Sequence, residues 1–154
     1  PGLTIDDITQ LMRKAQSMKV DDRLILRPEF VDFAQYLTAA DVTCFPSVRE
    51  GMGTPLLESL AAGVPVVANA DEASFREHII DHYNGYLQPL DAKKWAHSII
   101  MATKFGPEQR KQFSTEVISR YSTEKIDNHY FKLMNALISS KANERISVTN
   151  VLEH

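Results

Sequence analysis

The sequence predicts an α/β fold in which a Rossmann-like parallel sheet is flanked by helices. Short apolar runs rich in β-branched residues alternate with segments of helical periodicity, a pattern typical of βαβ units. Two of the apolar runs, Val42–Phe45 and Val64–Ala68, lie on either side of a predicted helix, Pro55–Ala62. Strands that alternate with helices in this way form a parallel sheet.

The first part of the chain is predicted to contain two helices and one strand. Thr4-x-x-Asp7 is a variant of the capping box, and the apolar residues that follow it recur at helical spacing. Leu24–Leu26 is a short apolar run closed by Pro28, and it is interpreted as a strand. A second helix is expected over Asp32–Ala39.

The part of the chain after Val64–Ala68 is predicted to hold one more strand and four more helices. Asn84-Gly85 indicates a turn ahead of a strand at Tyr86–Leu87. The four predicted helices are Phe75–Ile80, Ala92–Lys104, Pro107–Arg120 and Thr123–Ser139.

The segment Pro46–Gly53, called the binding loop below, joins a predicted strand to a predicted helix. Gly51 and Gly53 allow another backbone or a ligand to approach where a Cβ would collide. Thr54 suits the N-cap, and Pro55 suits the first helical position, where a missing N–H is tolerated. The free N–H groups at the start of this helix predict an anion site.

Two carboxylates flank this anion site, with seven residues between them. Glu50 precedes the helix and Glu58 lies one turn inside it. Carboxylates beside an amide-lined anion site indicate a ligand with phosphate and several hydroxyl groups. In parallel sheets such ligands bind beyond the carboxyl ends of the strands, which is where the binding loop lies. The simpler interpretation, that both glutamates are only surface charges, stays open.

Composition and charge limit the classes of partner. A formal net charge of −3 argues against a general nucleic-acid or anionic-membrane surface. The single cysteine, Cys44, lies in a predicted apolar strand, so we expect a buried, unreactive thiol and a reducing compartment. No signal peptide or membrane span is visible, and a cytoplasmic location is expected, with peripheral membrane association of the full-length protein left open. Residues 141–151 are expected to be a polar tail, and 152–154 a tag remnant.

Several groups of residues together resemble the family 4 (group 1) glycosyltransferases. They are Ala39-Ala40-Asp41-Val42-x-x-Phe45-Pro46-Ser47, Glu50-Gly51-Met52-Gly53, Leu57-Glu58-x-x-Ala61-x-Gly63-x-Pro65-Val66-Val67-Ala68, Glu77, Asn84-Gly85-Tyr86-Leu87 and Pro89-x-Asp91. The resemblance implies a retaining enzyme of GT-B fold with two Rossmann-like domains. Residues 1–140 would then be part of its C-terminal, nucleotide-sugar-binding domain.

The resemblance also implies roles for single residues. Glu50 would meet the donor sugar near its reacting face and act as the catalytic carboxylate, and Glu58 would bind the ribose hydroxyls. Arg27 and Pro28 would lie beside the nucleobase, although Arg27 could equally be a surface arginine. Backbone N–H groups would serve the sugar hydroxyls and the diphosphate, and the residues concerned are Gly51, Met52, Gly53, Thr54 and Leu56.

The same resemblance implies no cofactor and no metal, and the scattered histidines do not predict a zinc site. Two stretches depart from the family pattern: Arg27-Pro28 and Asp71–Ser74 stand where the family has glycines. The family's basic pair for the pyrophosphate and its N-terminal acceptor domain would lie outside this sequence, so the chain alone is not expected to turn over. The helix 123–139 is expected either to pack simply or to cross between domains with an exposed apolar stripe. Self-association is expected either through this stripe or through an exposed sheet.

Three hypotheses about function follow. The first is the donor-binding portion of a transferase that moves a sugar from a nucleotide-diphosphate sugar to an acceptor. The second is a non-catalytic nucleotide-sugar or polysaccharide-interaction module that has kept the fold. A third, a purely helical interaction domain, conflicts with the strand pattern. The sequence does not identify the donor base, the sugar or the acceptor.

Overall fold

The computed structural model describes residues 4–27, 29 and 32–139, and the chain divides into two units between Tyr36 and Leu37. Pro28, the polar tail predicted over 141–151 and the tag remnant predicted over 152–154 lie outside the described residues. The binding loop and all three described strands belong to the second unit.

The first unit contains helix α1, Ile5–Ser17, followed by a 3-10 turn at Asp21–Arg23. The capping box expected ahead of α1 is confirmed. The Asp7 N–H donates to Thr4 Oγ1 at 3.2 Å, and the Thr4 N–H donates to the Asp7 carboxylate at 2.9 Å. Hydrogen bonds from the Thr4 hydroxyl and backbone lower the pKa of Asp7, because they stabilise its charged form.

The prediction of a strand at Leu24–Leu26 is wrong, since residues 24–27 have no regular secondary structure and Ile25 is 78% exposed. An apolar run of three residues becomes a strand only when a neighbouring strand supplies hydrogen bonds. Helix α2, Phe33–Leu37, is shorter than the predicted Asp32–Ala39. Asp32 lies ahead of it and accepts a hydrogen bond from the Ala34 N–H at 3.1 Å.

The second unit is built on a parallel sheet of three described strands in the order β1-β2-β3. The strands are β1, Thr43–Phe45; β2, Val66–Asn69; and β3, Gly85–Gln88. The register pairs Thr43 with Val66 and Val66 with Gly85, so the carboxyl ends of all three strands meet at one edge. The fold class predicted from the sequence, a Rossmann-like parallel sheet flanked by helices, is confirmed.

Five helices are described in the rest of this unit. They are α3, Thr54–Ala61; α4, Ala73–His78; α5, Ala92–Ala102; α6, Pro107–Tyr121; and α7, Thr123–Ser139. Each of them corresponds to a helix predicted from the sequence, with ends that differ by up to two residues.

Helices cover both faces of the sheet, and the side chains of β2 alternate between them. Val66 and Ala68 pack with residues of α3, α4 and α6, among them Leu56, Phe75 and Phe113. Val67 faces the other way, into a second cluster that includes Tyr86 of β3 and Ala102 of α5. This two-sided burial explains why β2 is apolar throughout its first three residues.

β1 lies at an edge of the described sheet, and this position changes the interpretation of its cysteine. Cys44 is exposed, not buried as expected from the sequence: α5 packs mainly on β2 and β3, and β1 has a described strand on one side only. Partial desolvation by the surrounding protein still raises the pKa of the Cys44 thiol. The direction of this shift is the one expected for a thiol of low reactivity.

α7 contacts α6 and has no buried residue within Thr123–Ser139. Of the two interpretations left open by the sequence, the exposed stripe is the one observed; its residues are Ile126, Tyr130, Met134 and Leu137. Self-association through this stripe stays a prediction. Among the described residues, every helix is either too short or too polar to cross a bilayer.

Candidate functional site

The binding loop leaves the carboxyl end of β1 and runs directly into α3. The N-cap of α3 is Gly53 and not Thr54, the residue that the sequence favours. Gly53 has a φ of 71°, in the left-handed region that residues with a Cβ rarely adopt. A Cβ at this position would also lie 3.3 Å from Cε1 of Phe75. The backbone conformation therefore favours glycine here, and a Cβ would also crowd the Phe75 ring.

The loop presents free N–H groups at the start of α3. The carbonyl oxygen of Gly53 accepts from the N–H groups of Leu56 and Leu57 at 2.9 and 3.1 Å. The N–H of Leu56, one of the predicted donor contacts, is thus already used inside the helix. In the part of the chain that the structure describes, the N–H groups of Met52, Gly53 and Thr54 have no hydrogen-bond partner. Together with the helix dipole, these groups can hold an anion.

Glu58 lies on the exposed face of α3, four residues beyond Thr54. Residues four apart lie on the same side of a helix, and the rise between them is about 6 Å. Leu56, Leu57 and Leu60 face the core, so Glu58 is the carboxylate that this helix presents beside its own N-terminus. A group bound at the N–H groups could therefore extend along the helix to the Glu58 carboxylate.

Glu50 is also exposed, and its backbone N–H donates to Glu72 Oε2 at 3.2 Å. Within the described residues, neither the Glu50 nor the Glu58 side chain makes a hydrogen bond or an ion pair. Both carboxylates are therefore free to accept hydroxyl donors, which an ionised carboxylate can do in pairs.

Three buried side chains, those of Asn69, Glu72 and His78, form hydrogen bonds with the backbone of the binding loop; we call them the anchor side chains. The pairs are Asn69 Nδ2 to the Ser47 carbonyl oxygen at 3.1 Å, the Glu50 N–H to Glu72 Oε2 at 3.2 Å, and His78 Nε2 to the Met52 carbonyl oxygen at 3.0 Å. Asn69 is 1% exposed, and Glu72 and His78 are each 9% exposed. The loop is thus held by its backbone, and within the described residues the N–H groups of Met52 and Gly53 stay free.

Glu72 carries no site signal in the sequence, where Asp71–Ser74 is only a departure from a pair of glycines. In the structure it caps α4, accepting from the N–H and the hydroxyl of Ser74 at 3.3 and 3.2 Å, while its other oxygen holds Glu50. One signal could indicate it: a polar residue just after β2 lies at the same sheet edge as the loop after β1.

The residues predicted to contact the base, Arg27 and Pro28, do not belong to the unit that holds the binding loop. Arg27 belongs to the first unit and pairs with Glu29 at 3.8 Å, with both side chains more than half exposed. Pro28 lies outside the described residues. The role of these two residues stays a prediction.

Among the described residues, no three histidine, cysteine or acidic side chains converge on a point where a metal could bind. The chemistry that the described cluster offers is therefore anion binding by backbone N–H groups and hydroxyl binding by two carboxylates.

Comparison with known proteins identifies the family. The family model described as "Glycosyl transferases group 1" matches residues 5–104, a range that includes the whole binding loop, α3 and the anchor side chains. The chain belongs to the group 1 glycosyltransferases. Its α/β sheet is the fold expected for a domain of this family.

Individual relatives agree with this assignment. The chain is 35% identical over 88 residues to EpsD of Bacillus subtilis (strain 168), which is assigned as a glycosyltransferase; the match covers 52% of the chain and 23% of EpsD. It is 32% identical over 101 residues to the D-inositol 3-phosphate glycosyltransferase of Mycobacteroides abscessus, covering 64% and 23%. It is 22% identical over 157 residues to the GtfA subunit of the UDP-N-acetylglucosamine--peptide N-acetylglucosaminyltransferase of Streptococcus gordonii, covering 92% and 31%. The chain thus spans about a quarter to a third of the length of these relatives.

Proposed function

We propose that this chain is the donor-binding portion of a retaining glycosyltransferase that moves a sugar from a nucleotide-diphosphate sugar to an acceptor. One observation carries the proposal: in a member of the group 1 family, α3 begins with free N–H groups, and Glu50 and Glu58 flank them. The backbone of the loop before α3 is held by buried side chains. In this proposal the chain is part of the C-terminal domain of a GT-B enzyme. The acceptor-binding domain and the cations that meet the diphosphate are supplied from outside the sequence.

The diphosphate binds at the N-terminus of α3, where the N–H groups of Met52, Gly53 and Thr54 are unengaged within the described residues. When the bond between the anomeric carbon and the diphosphate breaks, its electron pair goes to the diphosphate oxygen. Fixed N–H dipoles aimed at that oxygen stabilise the growing charge without moving a proton. This step uses no metal ion and no cofactor.

The two carboxylates take separate parts of the donor. Glu58, along the helix from the diphosphate, accepts hydrogen bonds from the ribose hydroxyls. Glu50, at the loop end, faces the sugar, where its charge positions the ring and stabilises positive charge developing at the anomeric carbon. The sugar is proposed to occupy the open space beside Gly51, where an added Cβ would meet nothing within 4 Å. Arg27 and Pro28 are proposed to lie beside the base.

The relatives name different acceptors, an inositol phosphate in one case and a peptide in another. A common donor site with separate acceptor surfaces accounts for this range, since acceptor contacts are proposed to lie in another domain. The proposal accordingly names the class of donor and leaves base, sugar and acceptor to experiment.

Binding of nucleoside diphosphates to the chain tests the proposal. Calorimetric titration with UDP, GDP and ADP is expected to show saturable binding of at least one of them. Glu58→Gln should weaken that binding about tenfold, the loss expected for one hydrogen bond to a charged group. Glu124→Gln, which changes an exposed glutamate on α7, is the matched control and should leave the affinity unchanged.

Two results would contradict the proposal. If none of the three nucleotides binds, the proposed donor site is wrong. If the Glu58 and Glu124 variants bind the nucleotide with equal affinity, the proposed ribose contact of Glu58 is wrong. Binding by this chain, together with no transfer by the full-length protein, would instead favour the non-catalytic interaction module.

A further inference from the structure

His78, the last residue of α4, is buried and has both ring nitrogens engaged. Nε2 lies 3.0 Å from the Met52 carbonyl oxygen, and Nδ1 lies 2.9 Å from the Tyr121 hydroxyl. The Tyr121 ring also meets the imidazole edge-on, with 5.6 Å between ring centroids and 81° between ring planes. The imidazole therefore connects the binding loop to the end of α6.

These contacts determine which nitrogen carries the proton of the neutral ring. The Met52 carbonyl oxygen can only accept a hydrogen bond, so Nε2 must be the donor. In the neutral ring Nδ1 then has a lone pair, and the Tyr121 hydroxyl donates to it. Tyr121 thus holds both the orientation and the tautomer that Met52 requires.

The hydrogen bond to Met52 has a consequence on the opposite side of the peptide. The described residues contain no cis peptide bond, and in a trans peptide the C=O and the following N–H point in opposite directions. Because the Met52 C=O points inward to His78, the Gly53 N–H points away from the His78 side. That N–H is one of the free groups at the start of α3.

We infer that His78 is a positioning residue: by holding the Met52 carbonyl, it turns the Gly53 N–H toward the donor diphosphate, and Tyr121 keeps the imidazole in place. The inference rests on the proposed function of the binding loop and extends it to two residues outside the loop. Without the bond from His78, the Met52–Gly53 peptide loses the side-chain contact that orients its carbonyl, and glycine allows the φ of residue 53 to change.

The backbone around His78 is held independently of its ring. The Asn84 side chain donates to the His78 carbonyl oxygen at 3.0 Å and accepts from the Ile80 N–H at 2.8 Å. Asn84 is 3% exposed, so these bonds are shielded from water. Substitution of the His78 side chain can therefore change its contact with the loop without releasing the backbone at the end of α4.

Two substitutions of His78 differ in which ring nitrogen they imitate. The amide nitrogen of His78→Gln reaches the position of Nε2 and can donate to Met52. The shorter His78→Asn places its amide near Nδ1, within reach of Tyr121 but not of Met52. Comparing them separates loss of the Met52 bond from loss of a buried polar side chain.

The experiment records amide NMR spectra of the three chains and titrates each with whichever of UDP, GDP or ADP binds the unaltered chain. The Gly53 amide signal should move in His78→Asn and return toward its original position in His78→Gln. His78→Asn should weaken nucleoside diphosphate binding about tenfold, and His78→Gln less than about threefold. The matching nucleoside, which has no diphosphate, should bind all three chains equally.

Each arm has a result that overturns the inference. An unmoved Gly53 amide in His78→Asn excludes the positioning role, whether or not any nucleotide binds. Equal loss of nucleoside and nucleoside diphosphate affinity shows a general structural effect instead. If the unaltered chain binds no nucleotide, the proposed function fails first, and that failure is visible before any variant is compared.

Tyr121→Phe serves as a second variant if His78→Asn does not fold. It keeps the aromatic contact and removes only the hydroxyl that holds Nδ1. The Gly53 amide should shift in the same direction as in His78→Asn, with a smaller loss of nucleoside diphosphate affinity. An unchanged Gly53 amide in Tyr121→Phe together with an unchanged affinity would remove Tyr121 from the account.

Discussion

Gly51 and Gly53 lie two residues apart in the binding loop, yet the protein constrains them in different ways. Gly53 has a positive φ, and a Cβ there would lie 3.3 Å from the Phe75 ring. A Cβ at Gly51 would meet no protein atom within 4 Å, and this residue has no positive φ. The protein itself therefore explains the glycine at 53 but not the glycine at 51.

This difference divides the loop into two functional halves. The second half, at Gly53, lies against the Phe75 ring in a left-handed conformation and begins α3. The first half, around Gly51, is held by backbone hydrogen bonds to anchor side chains, while its surface is exposed. Under the proposed function, the open space beside Glu50 takes the donor sugar. Substitutions in the two halves should therefore affect different properties.

Gly53→Ala is expected to have the largest effect on stability. Alanine in the left-handed region costs about 1–2 kcal/mol, and displacement of the Phe75 ring adds to that cost. Urea denaturation should show a free energy of unfolding lower by about 2 kcal/mol. A change below about 0.5 kcal/mol would mean that Gly53 is not held in this conformation.

Glu72→Ala should have the next largest effect, because it removes the N-cap of α4 and the acceptor for the Glu50 N–H. Loss of a capping side chain costs about 1 kcal/mol, and the same denaturation measurement should detect it. Glu72→Gln keeps one acceptor oxygen but places an NH2 donor where the second oxygen accepted, so its loss should be smaller than that of Glu72→Ala and still measurable. Equal losses for the two variants would indicate that the hydrogen bonds are not the cause.

Gly51→Ala should change the free energy of unfolding by less than about 0.5 kcal/mol, as is usual for exposed positions. Binding of a nucleotide-diphosphate sugar should nevertheless weaken about tenfold, because the new methyl group occupies ligand space. Calorimetric titration of the variant provides the measurement. If Gly51→Ala changes neither the affinity for the nucleotide-diphosphate sugar nor the free energy of unfolding, the division of the loop into two halves is wrong.

A small effect is expected at β1, the strand that leads into the open half. Cys44 is exposed, but desolvation raises the pKa of its thiol, so at about pH 8 a smaller share of it is thiolate than in a free cysteine. Its reaction with iodoacetamide should be slower than that of free cysteine, and the midpoint of its pH–rate curve should be higher. A midpoint at or below that of free cysteine would contradict the partial desolvation of this thiol.

Most of the fold follows from the sequence, because strand–helix alternation and local capping signals agree with one another. The strand expected at Leu24–Leu26 fails because strand formation depends on a partner, which a single apolar run cannot reveal. The N-cap is Gly53 and not Thr54 because a positive φ and the nearby Phe75 ring, distant in sequence, decide the conformation.

The site divides in the same way. Glu50, Glu58 and the loop glycines are close in sequence, so the amino-acid pattern alone indicates them. The anchor side chains lie 22 to 26 residues from the loop atoms they hold, and they act on backbone groups. No spacing rule connects an asparagine, a glutamate and a histidine with such targets. Only the folded chain brings these side chains to the loop.

The proposed function places the diphosphate of the donor at the N-terminus of α3 and its ribose at Glu58. Amide NMR titration of the chain with a nucleoside diphosphate, and separately with the matching nucleoside, tests it most directly. Amide signals of α3 near Glu58 are expected to move with both ligands, whereas those of Gly53 and Thr54 should move only with the diphosphate. Equal movement of Gly53 and Thr54 with the nucleoside, or no movement with either ligand, would contradict it.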